Sequence, residues 1–126
     1  MGQGIDVSSR VLIVDDDVDL LETLDRLLRR SGYNCLTASS GRDGIRVIDA
    51  QSPDLVVTDL HMSGLDGLAV IRHACAQVPR IPVVLMTAYP SPASQDQARQ
   101  AGATIHLAKP FSNAAFLAAV QQALRA

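Results

Sequence analysis

The sequence predicts an α/β domain with a doubly wound sheet of five parallel strands, and three observations lead to this fold class. Three short runs are apolar without alternation, which is typical of strands buried on both faces. Segments with helical periodicity follow the predicted strands, so that strand and helix alternate five times. The length of 126 residues is that of one domain with one core. We therefore expect helices on both faces of the sheet and right-handed crossovers.

The predicted strands are short segments between turn and helix signals. Three are continuous aliphatic runs, and two are more mixed in composition. In chain order they are Val11–Val14, Asn34–Ala38, Leu55–Val57, Val83–Met86 and Thr104–Ala108. Because β-branched runs of this length suit a central parallel sheet, all five are expected to lie in one sheet.

Helices are predicted from apolar residues spaced three or four positions apart and from capping signals. Asp17 and Ser40 are predicted N-caps, and Ser91-Pro92 is a cap followed by proline at the first helical position. The predicted helices contain the stripe Leu20, Leu24, Leu27 and Leu28, the segment Arg42–Ala50, the stripe Leu68, Ile71, Cys75 and Val78, the segment Ser91–Ala101, and the stripe Phe116, Val120, Ala123 and Leu124. The apolar side of the Ser91–Ala101 helix is mostly alanine, so we expect that helix to be held loosely.

Composition and charge exclude several functional classes. Hydrophobic residues make up 48% and aromatic residues only 3%, so we expect a soluble globular protein with a core of Leu, Ile, Val and Ala. The net charge of −2 comes from interspersed charges, which predicts no direct nucleic-acid binding and no membrane contact by this segment. No apolar run approaches the roughly 18 residues of a membrane span. We expect a single domain over residues 1–126, with a folded core of about 9–125 and a flexible tail at 1–8.

Cysteine, histidine and glycine residues outside the strand ends have ordinary structural interpretations. Cys35 and Cys75 lack metal-site spacing and are expected to be free thiols that pack in the core of a cytoplasmic protein. His73 is expected on the exposed side of its helix without a function. Gly64 and Gly67 are expected to permit turns.

Polar and charged residues follow the predicted strands at the edge where their carboxyl ends meet. Asp15, Asp16 and Asp17 follow the first strand, and Thr58-Asp59 ends the third. In doubly wound sheets the functional site lies at this edge. If the strand order is 2-1-3-4-5, Asp15, Asp16 and Asp59 converge. Carboxylates that close repel one another, so the cluster requires a cation, and oxygen ligands suit Mg²⁺.

Such a cluster fits the chemistry of phosphoryl transfer. A carboxylate such as Asp59 can attack phosphorus to give an acyl phosphate, while a metal offsets the repulsion between nucleophile and incoming anion. Thr87 and Lys109 follow or end the next two strands and could contact phosphoryl oxygens. Each residue alone is an ordinary cap, turn, strand or surface residue. The interpretation therefore depends on their occurring together.

Four motifs in this order resemble the receiver domain of bacterial two-component response regulators. They are Val14-Asp15-Asp16, Thr58-Asp59 with the following Met62-Ser63-Gly64-Leu65-Asp66-Gly67, Thr87-Ala88, and Lys109-Pro110-Phe111. The resemblance extends over nearly the whole chain. It implies a flavodoxin-like (βα)5 receiver fold with strand order 2-1-3-4-5 and a phosphorylation-dependent signalling switch.

The resemblance also implies a metal site and a phosphoryl donor. Asp59 would accept the phosphoryl group, while Asp15, Asp16, Asp59 and the backbone carbonyl of His61 would hold Mg²⁺. The donor would be a phosphohistidine on a sensor histidine kinase or a histidine phosphotransfer protein. The domain would catalyse only its own phosphorylation and dephosphorylation, without turnover of an external substrate. The sequence does not identify the downstream effector, and a phosphorylation-dependent homodimer stays open.

Further roles follow from the resemblance at the ends of the fourth and fifth strands. Thr87 would reorient towards the phosphoryl group, and Lys109 would bridge to it. The peptide bond before Pro110 would be cis. His106 stands at the switch position where the family commonly has Tyr or Phe, and whether a histidine supports the usual aromatic coupling to the threonine stays open.

Three more positions bear on the rate of the reaction. In this family the side chains two positions after the phosphoacceptor and two after the threonine flank the path of the hydrolytic water. Here they are His61 and Tyr89, and we expect them to tune the lifetime of the phosphoryl group. Ser63 stands where the family usually has proline, which predicts a less rigid loop.

Two rival functions share parts of this pattern. Val14-Asp15-Asp16-Asp17 also fits the start of haloacid-dehalogenase-type phosphatases, in which Asp15 would be the nucleophile and Asp17 the general acid. The short chain and the lack of an acidic pair after the lysine argue against it. The second rival is a docking module that adopts the fold without being phosphorylated. The presence of all the acidic residues together with Thr87 and Lys109 argues against that alternative.

Overall fold

The computed structural model describes residues 9–62 and 66–125, and these form five strands and five helices in strict alternation. The strands are β1 Arg10–Val14, β2 Asn34–Ala38, β3 Leu55–Asp59, β4 Val83–Thr87 and β5 Ile105–Ala108. The helices are α1 Val18–Arg30, α2 Gly41–Gln51, α3 Gly67–Cys75, α4 Pro92–Ala101 and α5 Asn113–Arg125. The expected tail, Ser63 and Gly64 lie outside the described residues.

All neighbouring strands pair in parallel, in the order β2-β1-β3-β4-β5. The predicted fold class and strand order are therefore confirmed. The order reverses between β1 and β3, which is where a doubly wound sheet opens a crevice for its ligand. Topology alone thus directs attention to the ends of β1 and β3.

The core consists of one hydrophobic layer on each face of the sheet. On one face α1 and α5 bury large side chains such as Leu24, Leu28 and Phe116. On the other face α2, α3 and α4 cover the sheet, with Ile48 and Ile71 fully buried. Successive residues along each strand point to opposite faces of the sheet, and therefore to the two layers in turn. This alternation determines which layer each side chain at the carboxyl edge faces.

Side-chain caps fix where the helices begin. Asp17 accepts a hydrogen bond from the backbone N–H of Leu20, and Ser40 and Ser91 cap α2 and α4 in the same way. Pro92 occupies the first turn of α4. These three predicted caps are confirmed. Capping by Asp17 turns its carboxylate towards the helix, which leaves Asp15 and Asp16 as the acidic residues of the β1 end.

One prediction about α3 is wrong in detail. Val78 was expected on the apolar stripe of this helix, but the helix ends at Cys75 and Val78 is 98% exposed. Because Pro79 disfavours helical backbone in the residue before it, the helix cannot continue through Val78. His73, expected on the exposed side of this helix without a function, is partly exposed, and its Nε2 lies 2.7 Å from Asp49 Oδ1, a contact that joins α3 to α2.

The expectation of a thinly packed α4 is confirmed. Ala98 is the residue of this helix that is fully buried, whereas α3 buries Val70, Ile71 and Ala74.

Within the described ranges, no helix has both the length and the apolar character that a bilayer crossing requires.

Candidate functional site

The three carboxylates predicted to converge do so at the carboxyl edge of the sheet. Asp15 follows β1 directly, Asp59 is the last residue of β3, and one carboxylate oxygen from each of Asp15, Asp16 and Asp59 lies within 4.8 Å of the other two. Asp15 is fully buried and Asp59 is 7% exposed, while Asp16 faces solvent. The cluster therefore has a buried floor and one open side.

Lys109 supplies the positive charge next to these carboxylates. Its Nζ donates to Asp15 Oδ2 at 2.6 Å and to Asp59 Oδ2 at 3.3 Å. The backbone N–H of Lys109 donates to the carbonyl of Thr87 at 2.8 Å, and the Lys109–Pro110 peptide is cis. The lysine is thus tied to the end of β4 while its side chain reaches across to β1 and β3.

Backbone contacts hold the carboxylate of Asp15 in place. Its N–H donates to the carbonyl of Ala38 at 3.1 Å, and its Oδ1 accepts from the N–H of Asp17 at 2.9 Å. With Lys109 on Oδ2, both oxygens of Asp15 have partners. A carboxylate fixed on both sides is suited to hold a cation at a defined position.

Charge and burial act against each other on Asp59. Burial raises the pKa of Asp59, the charge of Lys109 opposes this, and the negative charge of Asp15 adds to the increase. Burial alone would lower the pKa of Lys109, but its hydrogen bonds and charge interactions with Asp15 and Asp59 raise it overall. Without a metal the cluster thus holds more negative charge than one ammonium can neutralise.

The residues expected to respond to a phosphoryl group lie at the end of β4. Thr87 is 1% exposed, and its Oγ1 accepts a hydrogen bond from the backbone N–H of Tyr89 at 3.1 Å. The Tyr89 side chain is 77% exposed. Since β4 lies beside β3, Thr87 lies at the same edge of the sheet as Asp59. The contact with Tyr89 joins the hydroxyl of Thr87 to the loop that follows β4.

His61 lies next to the acidic cluster on the side of α3. Its backbone N–H donates to Asp59 Oδ1 at 3.4 Å. The residue lines an open cavity of about 480 Å³ together with Asp16, Met62 and Gln97. The position is compatible with both expected roles of His61, as a carbonyl ligand and as a neighbour of the attacking water.

His106 lies on β5, in register with Leu85 of β4, and is half-buried. Burial and the nearby charge of Arg99 lower the pKa of its imidazole, and a backbone hydrogen bond at Ala103 opposes them. The neutral ring is therefore favoured in the folded protein. Ile105 and Leu107 pack in the layer of α1 and α5, so by strand alternation His106 faces the side of the sheet that α4 covers.

Two residues that hold the main chain of Asp59 were not identified from the sequence. Thr58 is fully buried, and its Oγ1 donates to the Asp59 carbonyl oxygen at 2.9 Å. Gly67 was expected to serve a turn, but it is the first residue of α3, and a Cβ there would lie 2.1 Å from the Asp59 carbonyl oxygen. The Thr58 contact is local to β3, between neighbouring residues. The Gly67 contact has no signal in a single sequence, because it depends on how closely α3 approaches β3.

Taken together, a doubly wound sheet has acidic residues at its switch point, with a threonine and a lysine at the neighbouring strand ends of the same edge. This arrangement is that of a class of phosphoryl-accepting signalling domains. Comparison with known families agrees. Residues 11–121 match the response regulator receiver domain family, and the chain belongs to that family.

Relatives and solved structures support the same assignment. The chain is 39% identical to the transcriptional regulatory protein PrrA of Mycobacterium tuberculosis over 118 residues, which are 94% of this chain and 51% of that protein. It is 39% identical to the transcriptional regulatory protein ZraR of Escherichia coli over 114 residues, 90% of this chain and 26% of that protein. The chain thus spans about half the length, or less, of these relatives.

Among solved structures, the chemotaxis protein CheY4 of Vibrio cholerae superposes with a TM-score of 0.87 at 25% identity, covering 92% of this chain and 98% of that one. A CheY-like receiver domain from Methanospirillum hungatei gives a TM-score of 0.89 at 24% identity, with 94% of each chain covered. The second likeness concerns the fold alone.

Proposed function

We propose that Asp59 is the phosphoacceptor of this receiver domain and takes its phosphoryl group from a phosphohistidine. The observation that carries the proposal is the convergence of Asp15, Asp16 and Asp59 within 4.8 Å, with Lys109 bonded to two of them. Asp59 ends a central strand, and the contacts of its carboxylate with the described residues are long, at 3.4 Å to the N–H of His61 and 3.3 Å to Lys109 Nζ. Asp15, by contrast, is fully buried, and its two oxygens are bonded at 2.9 and 2.6 Å.

The donor set fits Mg²⁺. Carboxylates at this spacing repel one another, and a hard cation with oxygen ligands offsets that repulsion. Asp15, Asp16 and Asp59, with the carbonyl of His61, are the ligands we propose. Bound there, Mg²⁺ would neutralise charge on the carboxylates and on an approaching phosphoryl group. The open side at Asp16 leaves room for water and phosphoryl oxygens in the remaining positions.

In the proposed transfer, a carboxylate oxygen of Asp59 attacks phosphorus while the bond between phosphorus and the donor's imidazole nitrogen breaks. The electron pair leaves with the imidazole, and an acyl phosphate forms. Lys109 is placed to pair with the new phosphoryl oxygens, and Thr87 is placed to donate its hydroxyl to them. The hydroxyl can turn because its present contact, with the N–H of Tyr89, uses it as an acceptor.

The proposed output is a change in the surface around α4. When Thr87 turns towards the phosphoryl group, the loop that begins at Tyr89 loses an anchor. Because α4 buries little more than Ala98, it can hold two arrangements of similar free energy. His61 and Tyr89 are proposed to adjust how long the acyl phosphate survives, since both flank the site.

The proposed partners are a sensor histidine kinase or a histidine phosphotransfer protein. We propose that the domain turns over no external substrate. The two free cysteines, Cys35 and Cys75, agree with a reducing cytoplasmic setting. The relatives named above are transcriptional regulators two to four times as long as this chain, and a link to transcription is a proposal for the whole protein only.

Phosphorylation by a small donor tests the assignment directly. The purified chain is incubated with acetyl phosphate and Mg²⁺, and intact-mass spectrometry follows the gain of one phosphoryl group. We expect a base-labile gain in the wild type and none in Asp59→Asn. Asp17→Asn is the matched control, because asparagine caps a helix as well as aspartate does and should leave phosphorylation intact.

The control also separates the rival enzyme. In a haloacid-dehalogenase-type phosphatase, Asp15 would carry the acyl phosphate and Asp17 would act as general acid. Phosphate mapped to Asp15, or activity lost in Asp17→Asn, would contradict the receiver assignment of these residues. A wild type that gains no mass and takes up no Mg²⁺ in calorimetry would favour the unphosphorylated docking module.

A further inference from the structure

Thr58 carries a hydroxyl into a layer of the core that is otherwise apolar. It is fully buried, and its register partners on the neighbouring strands are Val14 and Leu85. By the alternation of the strand it shares a face with Val56 and Leu60, which pack in the layer that α3 covers. A valine of the same shape would fill this place without a desolvation cost, so packing does not require the hydroxyl.

The partner of that hydroxyl is the main chain of the proposed phosphoacceptor. Thr58 Oγ1 donates to the Asp59 carbonyl oxygen at 2.9 Å. The same carbonyl lies against the first residue of α3, where a Cβ on Gly67 would come within 2.1 Å of the oxygen and 2.7 Å of Leu60 Cα. The N–H of Gly67 donates to the Leu60 carbonyl at 3.0 Å. Thr58 and Gly67 together therefore grip the peptide that joins Asp59 to Leu60.

We propose that Thr58 and Gly67 form a backbone clamp that positions Asp59 and the carbonyl of His61 for metal binding and phosphoryl transfer. This inference rests on the proposed function of Asp59. Both residues act through the main chain and touch neither metal nor phosphoryl group, so they are positioning residues.

The clamp has this effect because of where it lies in the chain. The side chain of Asp59 projects from the residue whose carbonyl is held, and His61 follows two residues later. His61 already donates its N–H to Asp59 Oδ1 at 3.4 Å, so a rotation of the clamped peptide would move both metal-binding groups at once. A displacement of about 1 Å at a reacting group can slow a reaction roughly a hundredfold.

Thr58→Val tests the hydroxyl without creating a cavity. We expect its phosphorylation by acetyl phosphate at saturating Mg²⁺ to be about tenfold slower, and its Mg²⁺ affinity in calorimetry to be lower. Its urea unfolding midpoint should fall only slightly, because the apolar layer accepts valine and one hydrogen bond is lost. Thr58→Ser restores the donor and should recover the rate to within about twofold. Thr37→Val makes the same change at an exposed position on β2 and should alter neither property.

Gly67→Ala tests the other half of the clamp, with Gly44→Ala as its control. The atoms nearest to a Cβ on Gly44 are side-chain atoms of Val14, at 2.9 Å or more, whereas a Cβ on Gly67 meets backbone at 2.1 Å. We expect Gly67→Ala to weaken Mg²⁺ binding by at least about tenfold more than Gly44→Ala does. If Gly67→Ala does not fold, the Thr58 variants still decide the question.

The outcomes are distinguishable. A wild-type rate in Thr58→Val, or equal slowing in Thr58→Val and Thr58→Ser, would overturn the clamp while leaving Asp59 as phosphoacceptor. A wild type that gains no phosphoryl group on Asp59 would overturn the proposed function and the clamp together.

Discussion

At the ends of β1 and β3, the side chains of the site are buried and bonded on several sides, whereas the ends of β4 and β5 adjoin a thinly packed helix. β3 is buried along its whole length, and Asp15 has partners on both carboxylate oxygens. β4 is also buried along its whole length, but in β5 three residues are half-buried and Ala108 is exposed. We call these regions the β1–β3 half and the β4–β5 half of the carboxyl edge.

The helices behind the two halves differ in the same way. α3 covers the β1–β3 half with Val70, Ile71 and Ala74 fully buried. α4 covers the β4–β5 half with Ala98 alone. Burying a Val or Ile side chain contributes about 1.5–3 kcal/mol, and an alanine methyl contributes less than half of that. This packing difference supports our proposal that the groups around Asp59 lie on the better-packed side of the site. It likewise supports the proposal that Thr87 and α4 lie where two conformations differ little in free energy.

The largest effect is expected from removing the charge of Lys109, which joins the two halves. In metal-free Lys109→Met, Asp15 and Asp59 stay buried without a counter-charge, so the free energy of unfolding should fall by about 3 kcal/mol. The control Arg99→Met removes an exposed charge that pairs with Asp96 at 2.8 Å, and should change stability by less than about 0.5 kcal/mol. Urea titrations of the three proteins measure both differences.

Mg²⁺ sharpens this test, because a metal between the carboxylates replaces part of the missing positive charge. Adding Mg²⁺ should therefore stabilise Lys109→Met more than it stabilises the wild type. Equal losses in Lys109→Met and Arg99→Met would show that the charge balance of the cluster is not a stability factor, and the contrast between the halves would then rest on packing alone.

Packing predicts a difference in local opening between helices. We expect amides of α4 to exchange at least about tenfold faster than those of α1, which corresponds to about 1.4 kcal/mol of local stability. Addition of Mg²⁺ with a phosphoryl mimic such as beryllofluoride should change protection in α4 and leave α1 unaltered. Hydrogen exchange followed by mass spectrometry gives both values, and unchanged protection in α4 would contradict the proposed response of this helix.

The same contrast explains how much the sequence alone could predict. The β1–β3 half could be predicted from local patterns. Aliphatic runs predict β1 and β3, and caps such as Asp17 predict where helices begin. Once the strand order is known, the convergence of Asp15 and Asp59 follows from topology. The weakness of α4 also follows, because its alanine face is visible in the sequence.

Contacts between distant segments could not be predicted in this way. The fit of Gly67 against the Asp59 carbonyl depends on the approach of α3 to β3. The contact of His73 with Asp49 depends on the angle between α3 and α2. Pro79 is a local signal that α3 ends before Val78. The prediction nevertheless extended the apolar stripe to Val78, because Val78 follows Cys75 at helical spacing.

The pH dependence of stability offers a finer test of the β1–β3 half. Burial, opposed by Lys109 and aided by Asp15, raises the pKa of Asp59 in the folded state. The stability that its protonated form contributes is present below the unfolded-state pKa of about 3.9 and is lost as the pH rises through the higher folded-state pKa. As the pH rises from the unfolded-state pKa through the folded-state pKa of Asp59, we therefore expect the metal-free wild type to lose stability relative to Asp59→Asn. Urea titrations in chelator between about pH 4 and pH 7 measure the difference, and parallel curves would contradict the prediction.

The smallest effect is expected in the β4–β5 half, and its direction is opposite. Burial and then the charge of Arg99 lower the pKa of His106 in the folded state. The stability that follows from the neutral ring is present above the unfolded-state pKa of about 6.5 and is lost as the pH falls towards the lower folded-state pKa. His106→Phe should remove this acid-side loss, and Arg99→Met should reduce it.

Hydrogen exchange in α4 distinguishes a local effect of His106 from a global one. Because the ring lies on β5 next to the helix that carries Arg99, protonation should speed exchange in α4 more than in α1 when the pH is lowered from about 7.5 to about 5.5. Correction for the intrinsic pH dependence of exchange comes from His106→Phe under the same conditions. If wild type and His106→Phe change equally in α4, the imidazole does not couple the sheet edge to this helix, and the looseness of the β4–β5 half comes from its thin alanine face alone.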